Sequence, residues 1–173
     1  MILLKISGSI LILLSTSLLG YIYGSSYRDR VNNLVLLENC IRILETEIIY
    51  GANPLPEALV NVYRKGNSKV SFVFKEISDQ LILNKGTVLE CFQSIENILK
   101  EKLKFNDDDI EMFFTLGRTI GASNRIDQEK NFKLLLVQIE TLETGAREAR
   151  DKNEKLYKSL GVLLGLVIVI ILL

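Results

Sequence analysis

Apolar residues crowd both ends of this chain and recur at helical intervals between them. From Ile2 to Tyr23 the only charge is Lys5, and the other polar positions are serines and one threonine, which a helix in lipid tolerates. These 22 residues reach about 33 Å as a helix, enough for a hydrocarbon core of about 30 Å. The run is too long for the apolar stretch of a cleaved signal peptide, and no A-x-A-like site follows it. A retained transmembrane helix is expected. At the other end, Leu160 to Leu173 is apolar throughout except for Gly161 and Gly165. Counted from Tyr157, with Lys158 reaching to the headgroups, it has 17 residues, the lower limit for a span.

Between these ends the pattern is helical. Leu34, Leu37, Ile41, Leu44 and Ile48 step by three and four and predict one apolar stripe. Gly51 should stop that helix, and Asn53-Pro54-Leu55-Pro56 should turn the chain. A short second helix is expected from Pro56, suited to a first turn, to about Gly66. A third, Lys69 to Leu83, would carry Val70, Val73, Phe74, Ile77 and Leu81 on one side. Its β-branched residues leave a short strand open as an alternative.

Asn84-Lys85-Gly86 closes that segment, and Thr87 and Glu90 have capping-box spacing for a fourth helix facing inward through Phe92, Ile95 and Leu99. Asn106 to Asp109 opens a fifth, with Ile110, Phe113, Phe114 and Ile120 apolar and Gly121 at its end. The sixth should begin between Asn124 and Asp127, with Phe132, Leu135, Leu136, Ile139 and Leu142 as its stripe. No proline interrupts it before the final apolar run, so the last helix is expected to be continuous with the second span. Gly24-Ser25-Ser26 is expected to leave slack in the other connection. The reading is all-α: a six-helix bundle between two transmembrane helices. Residues 1–26 form the first span and a linker, 27–156 the helical domain and 157–173 the second span.

Flanking charge sets the orientation. Arg28 and Arg30 follow the first span, and Arg147, Arg150, Lys152, Lys155 and Lys158 precede or open the second. Lysines and arginines mark the cytoplasmic side, so a hairpin is expected with both termini outside and the middle cytoplasmic. Lys5 opposes this and is outnumbered.

Composition narrows the chemistry. Basic and acidic residues number 21 each, so the footprint of a nucleic-acid binder is missing. Histidine is absent, which removes the commonest general base and metal ligand. The two cysteines, Cys40 and Cys91, read as reduced, partly packed thiols. No Walker, dinucleotide-binding or nucleophile-elbow pattern occurs; no enzyme and no cofactor is expected. Asp107, Asp108, Asp109 and Glu111 lack EF-hand spacing and fit helix capping better than a cation site. Glu45 and Glu47 are two apart on a helix and read as a solvated or partner-facing pair. Tyr21, Tyr23 and Tyr27 suit an interfacial aromatic belt. The candidate site residues are instead Gly20 and Gly24, and Gly161 and Gly165, whose i,i+4 spacing allows close helix packing in lipid.

Several segments together resemble the stage III sporulation protein AB family of endospore-forming bacteria. They are Leu44-Glu45-Thr46-Glu47-Ile48-Ile49-Tyr50-Gly51, Pro54-Leu55-Pro56-Glu57-Ala58-Leu59, Asp127-Gln128-Glu129-Lys130, Ala146-Arg147-Glu148-Ala149, Asn153-Glu154-Lys155 and Lys158-Ser159-Leu160-Gly161. The resemblance implies a mother-cell membrane protein facing the forespore, in a complex with other sporulation membrane proteins. It implies a cytoplasmic domain similar to the inner-membrane F protein of type II secretion and type IV pilus systems, with a secretion-type ATPase as partner. That F protein has two such domains and this chain one, so a homo-oligomer would have to supply the symmetry. The function implied is a non-enzymatic scaffold of a secretion-like channel. A membrane-anchored helical regulatory or signalling module, with no motor, is the alternative.

Overall fold

The computed structural model describes residues 2–122 and 125–172. Among them the chain is all-helical, with no strand: α1 (Ile2–Glu45), a π-helical turn (Thr46–Tyr50), α2 (Leu55–Lys65), α3 (Ser68–Ile82), α4 (Val88–Gln93), α5 (Glu96–Leu103), α6 (Asp107–Ala122) and α7 (Arg125–Leu172). Two compact units share the long helices. Met1–Val31 and Gly145–Leu173 form a helix pair, and Asn32–Thr144 forms a bundle.

The bundle is built on the stripes legible in the sequence. Leu34, Leu37, Ile41 and Leu44 are fully buried on α1, as are Val70, Val73, Phe74 and Ile77 on α3. The third segment is therefore helix rather than strand. Phe113 of α6 joins the core rings, edge-on to Phe74 at 5.9 Å and tilted against Phe92 at 5.0 Å. Such offset geometries suit the ring quadrupoles. Two buried serines lock α3 to α2, Ser71 Oγ donating to the Tyr63 carbonyl at 3.1 Å and Ser78 Oγ to the Pro56 carbonyl at 2.9 Å. Asn33 donates to the Leu103 carbonyl at 2.9 Å, satisfying the end of α5, where Lys104 turns through a left-handed φ of 60°.

Four expectations need correction. The stripe of α1 does not reach Ile48, because the backbone winds into a π turn whose wider loop carries an extra residue. The Gly51 N–H bonds the Thr46 carbonyl at 3.0 Å, five residues back, and Ile49 is buried where Ile48 is half-exposed. The same rotation turns Glu47 inward, so its reading as a solvated face fails. Next, Gly24-Ser25-Ser26 gives no slack: α1 runs unbroken through it, and the serine hydroxyls donate to the Ile22 and Tyr23 carbonyls.

The fourth helix is two pieces, α4 and α5, broken at Ser94, whose Oγ lies 2.8 Å from both the Cys91 carbonyl and Gln80 Oε1. A side-chain oxygen that competes for a helical carbonyl favours such a break. The described α6 runs to Ala122, one residue past Gly121, and a β-carbon on Gly121 would fall 3.3 Å from Val88 Cβ. The start expected between Asn124 and Asp127 is described only from Arg125, Asn124 lying outside the described residues. From there α7 is one helix of 48 residues. One helical stretch among the described residues, Ser7–Tyr50, is long and apolar enough to cross a membrane, with mean hydropathy 1.4 in its best window.

Candidate functional site, a glycine-lined helix pair

In the helix-pair unit the four glycines lie where α1 and α7 meet. A β-carbon on Gly20 would fall 2.8 Å from Gly161 Cα and 2.7 Å from the Tyr157 carbonyl oxygen. One on Gly161 would fall 2.6 Å from the Thr16 carbonyl oxygen. These neighbours are backbone, which no rotamer change can move. Gly20 and Gly161 therefore face one another. Gly24 meets other atoms, the Glu154 carbonyl at 2.8 Å and the stem of Lys158 at 3.1 Å, and Gly165 meets Leu13 and the Thr16 hydroxyl. Thr16 itself is satisfied inside α1 by the Ile12 carbonyl at 3.0 Å, leaving its small side chain free to sit beneath Gly165.

Next to this seam is a cluster of rings and charges. Tyr27 stacks on Tyr157 at 5.7 Å, and Tyr23 tilts against the same ring at 6.5 Å. Because Gly24 has no side chain, the Lys158 stem lies along α1, and its ammonium sits 5.1 Å above the Tyr21 ring. That ammonium also donates to Glu154 at 2.6 Å, and Arg28 approaches the same carboxylate at 3.8 Å. The hydrogen bond from Lys158 holds the Glu154 carboxyl below its ordinary range, although partial burial opposes this.

The other candidates resolve as structure. Asp109 is fully buried and forms a reciprocal cap with Asn106: each backbone N–H donates to the other's side chain at 3.0 Å. Asp107 is exposed and pairs with Lys100 at 3.2 Å. Among the described residues no three His, Cys, Asp or Glu side chains gather as metal ligands. Cys40 is fully buried, and burial pushes its thiol up to about 12. Glu47 is the group the sequence reading misplaced. Its carboxylate accepts from Asn53 and Asn61 at 2.7 Å each and from Lys65 at 2.5 Å. The Lys65 bond, more than the others, keeps it below its ordinary value. The signal available in the sequence was the three donors clustered within 18 residues; the turn that brings them together was not.

The model of the family described as stage III sporulation protein AB matches residues 5–173. The stage III sporulation protein AB of Bacillus subtilis (strain 168) is 31% identical over 169 residues, covering 98% of this chain and 99% of that protein. A solved structure of a stage III sporulation protein AB superposes with a TM-score of 0.64 at 29% identity, over 72% of this chain and 98% of the other. A match running from the first apolar segment through the bundle to the last residue leaves one assignment: the chain belongs to the stage III sporulation protein AB family.

Proposed function

We propose that the chain is a non-enzymatic scaffold in a secretion-like channel complex between mother cell and forespore. Its hairpin of two spans, α1 and the end of α7, sits in the mother-cell membrane that faces the forespore. Its bundle lies in the cytoplasm as the platform for a secretion-type ATPase. The supporting observation is the helix pair. Its inner seam is glycine against backbone, while Leu11, Leu14, Leu18, Leu163, Leu164 and Ile170 point outward and are more than half exposed. In water that surface would be a large aggregation-prone patch, whereas in lipid it is the ordinary exterior of a packed pair. The four glycines act here as the packing face. On the bundle, Tyr50, Leu134 and Val137 are exposed apolar side chains of the sort that anchor a protein partner. With one bundle per chain, several copies assemble around the motor.

The test is purification of the full chain from sporulating cells with its complex intact. The ATPase should co-purify with the other sporulation membrane proteins. Recovery of those proteins without the ATPase would defeat the platform and leave a membrane-anchored regulatory module.

A further inference from the structure

Beside the tyrosine cluster α7 bears an open cleft of about 320 Å³ lined by Arg150, Asp151, Glu154, Lys155 and Lys158. We propose that this cleft binds the phosphate of an anionic glycerophospholipid at the cytoplasmic edge of the bilayer. The inference rests on the membrane reading above. Four cations converge there, counting Arg28, whose guanidinium reaches Glu154 at 3.8 Å. They face two carboxylates. Arg150 holds Asp151 at 2.7 Å and Lys158 holds Glu154 at 2.6 Å, so both acids are neutralised by neighbours.

Lys155 lines the same cleft without an ion pair or hydrogen bond of its own among the described residues. A cleft with an unmatched ammonium and a guanidinium beside it is set up for a phosphate. Its position suits a lipid phosphate in particular. Lys155 is two residues before the second span, and Tyr21, Tyr23 and Tyr157 place aromatic rings at the depth where such rings sit between headgroups and tails. Basic pockets at the cytoplasmic ends of helices hold lipid headgroups in this way. Gly24 contributes indirectly, since its missing side chain is what lets the Lys158 stem lie flat and set its charge at the cleft.

The experiment uses the full chain in vesicles of phosphatidylcholine with and without phosphatidylglycerol, followed by native mass spectrometry of the lipids it retains. Wild type should keep phosphatidylglycerol in preference. Lys155→Gln should lower retention about fivefold, the effect of one interfacial cation, and Arg150→Gln with it should lower it further. Lys155 and Lys152 are both exposed, so neither change threatens the fold. Lys152 does not line the cleft, and Lys152→Gln should leave retention unchanged. Equal loss from both would mean diffuse surface charge and would overturn the site. So would equal retention of both lipids, or binding of inorganic phosphate in detergent with no lipid kept. A parallel carbonate wash of the membranes separates the two claims. Protein that resists extraction but shows no lipid preference sinks the cleft alone, whereas extracted protein sinks the membrane reading and the cleft with it.

Discussion

Phe92 lies so close to Gly117 that a β-carbon on the glycine would fall 2.6 Å from its Cγ. The ring is fully buried between α4 and α6 and has no direction in which to retreat. Gly117→Ala should therefore destabilise by about 1–3 kcal/mol through overpacking, against a gain in helix propensity of up to about 1 kcal/mol. Gly145 is also helical but exposed, and a β-carbon there meets nothing within 4 Å. Gly145→Ala should stabilise by about 0.5–1 kcal/mol. Thermal melts of the full chain in detergent, followed by circular dichroism, should move in opposite directions for the two variants. Shifts of the same sign would refute the packing argument.

Glu47 predicts a pH dependence. Its carboxyl is held below the ordinary 4.5, chiefly by Lys65. A depressed value in the folded state stabilises at pH above the unfolded value, and that contribution drains away as pH falls through the folded one. The fold should lose stability as pH drops below about 5. Glu47→Gln should cost about 1–2 kcal/mol at neutral pH, discounted because Lys65 is half in solvent, and should flatten the acid limb. Urea titrations of both proteins across that range check the claim; parallel curves would refute it.

Cys40 should be inert. Burial pushes its thiol up to about 12, leaving almost no thiolate near neutrality, and the thiolate is the reacting form. Burial raises Cys91 as well. Iodoacetamide at pH 8 should modify neither residue until denaturant is added. Rapid labelling of the native protein, read by peptide mass, would contradict the buried placement.

The glycine seam can be tested against a glycine outside it. Gly161→Ile puts a branched side chain where Gly20 and the Thr16 carbonyl lie within 3 Å, while Gly8→Ile meets open space. Both raise hydrophobicity, so both should stay in the membrane fraction. Only Gly161→Ile should lower the melting temperature in detergent and weaken recovery of the complex. Equal behaviour would make the glycine spacing incidental.

Orientation can be read at Lys85, exposed in the turn between α3 and α4. The proposed hairpin, read from its basic flanks, puts this turn in the cytoplasm. A phosphatase that works only outside the cytoplasm, inserted there, should be inactive. Strong activity would reverse the hairpin.

What the sequence disclosed was set by local spacing. The Thr87–Glu90 capping box forms as its spacing promised, with the Thr87 N–H donating to Glu90 at 2.7 Å. The core stripes of α1 and α3 also follow from period alone. Gly117 and Gly121 share the spacing of the glycines between α1 and α7, yet that pair seats Phe92 and Val88 in the bundle. The motif carries no label for the partner it admits, since that depends on residues far along the chain. Ser94 and the Thr46–Tyr50 turn were opaque for another reason. Both alter helical winding through bonds to particular partners, and no periodicity encodes those.

The π turn has a consequence for exchanging parts between relatives. It ends α1 with Glu47 and Ile49 turned inward, where an unbroken α-helix would have carried the stripe on to Ile48. A splice inside that turn from a chain wound as plain α-helix would rotate Glu47 and Ile49 off the inward face, by about 100° for each residue of register lost. It would also separate Glu47 from Asn53, Asn61 and Lys65, leaving a buried acid or three idle donors. The segment from Leu44 to Lys65 is thus a unit of inheritance: a chimera should carry it whole, and the safe crossover points lie in the Asn84-Lys85-Gly86 turn or beyond.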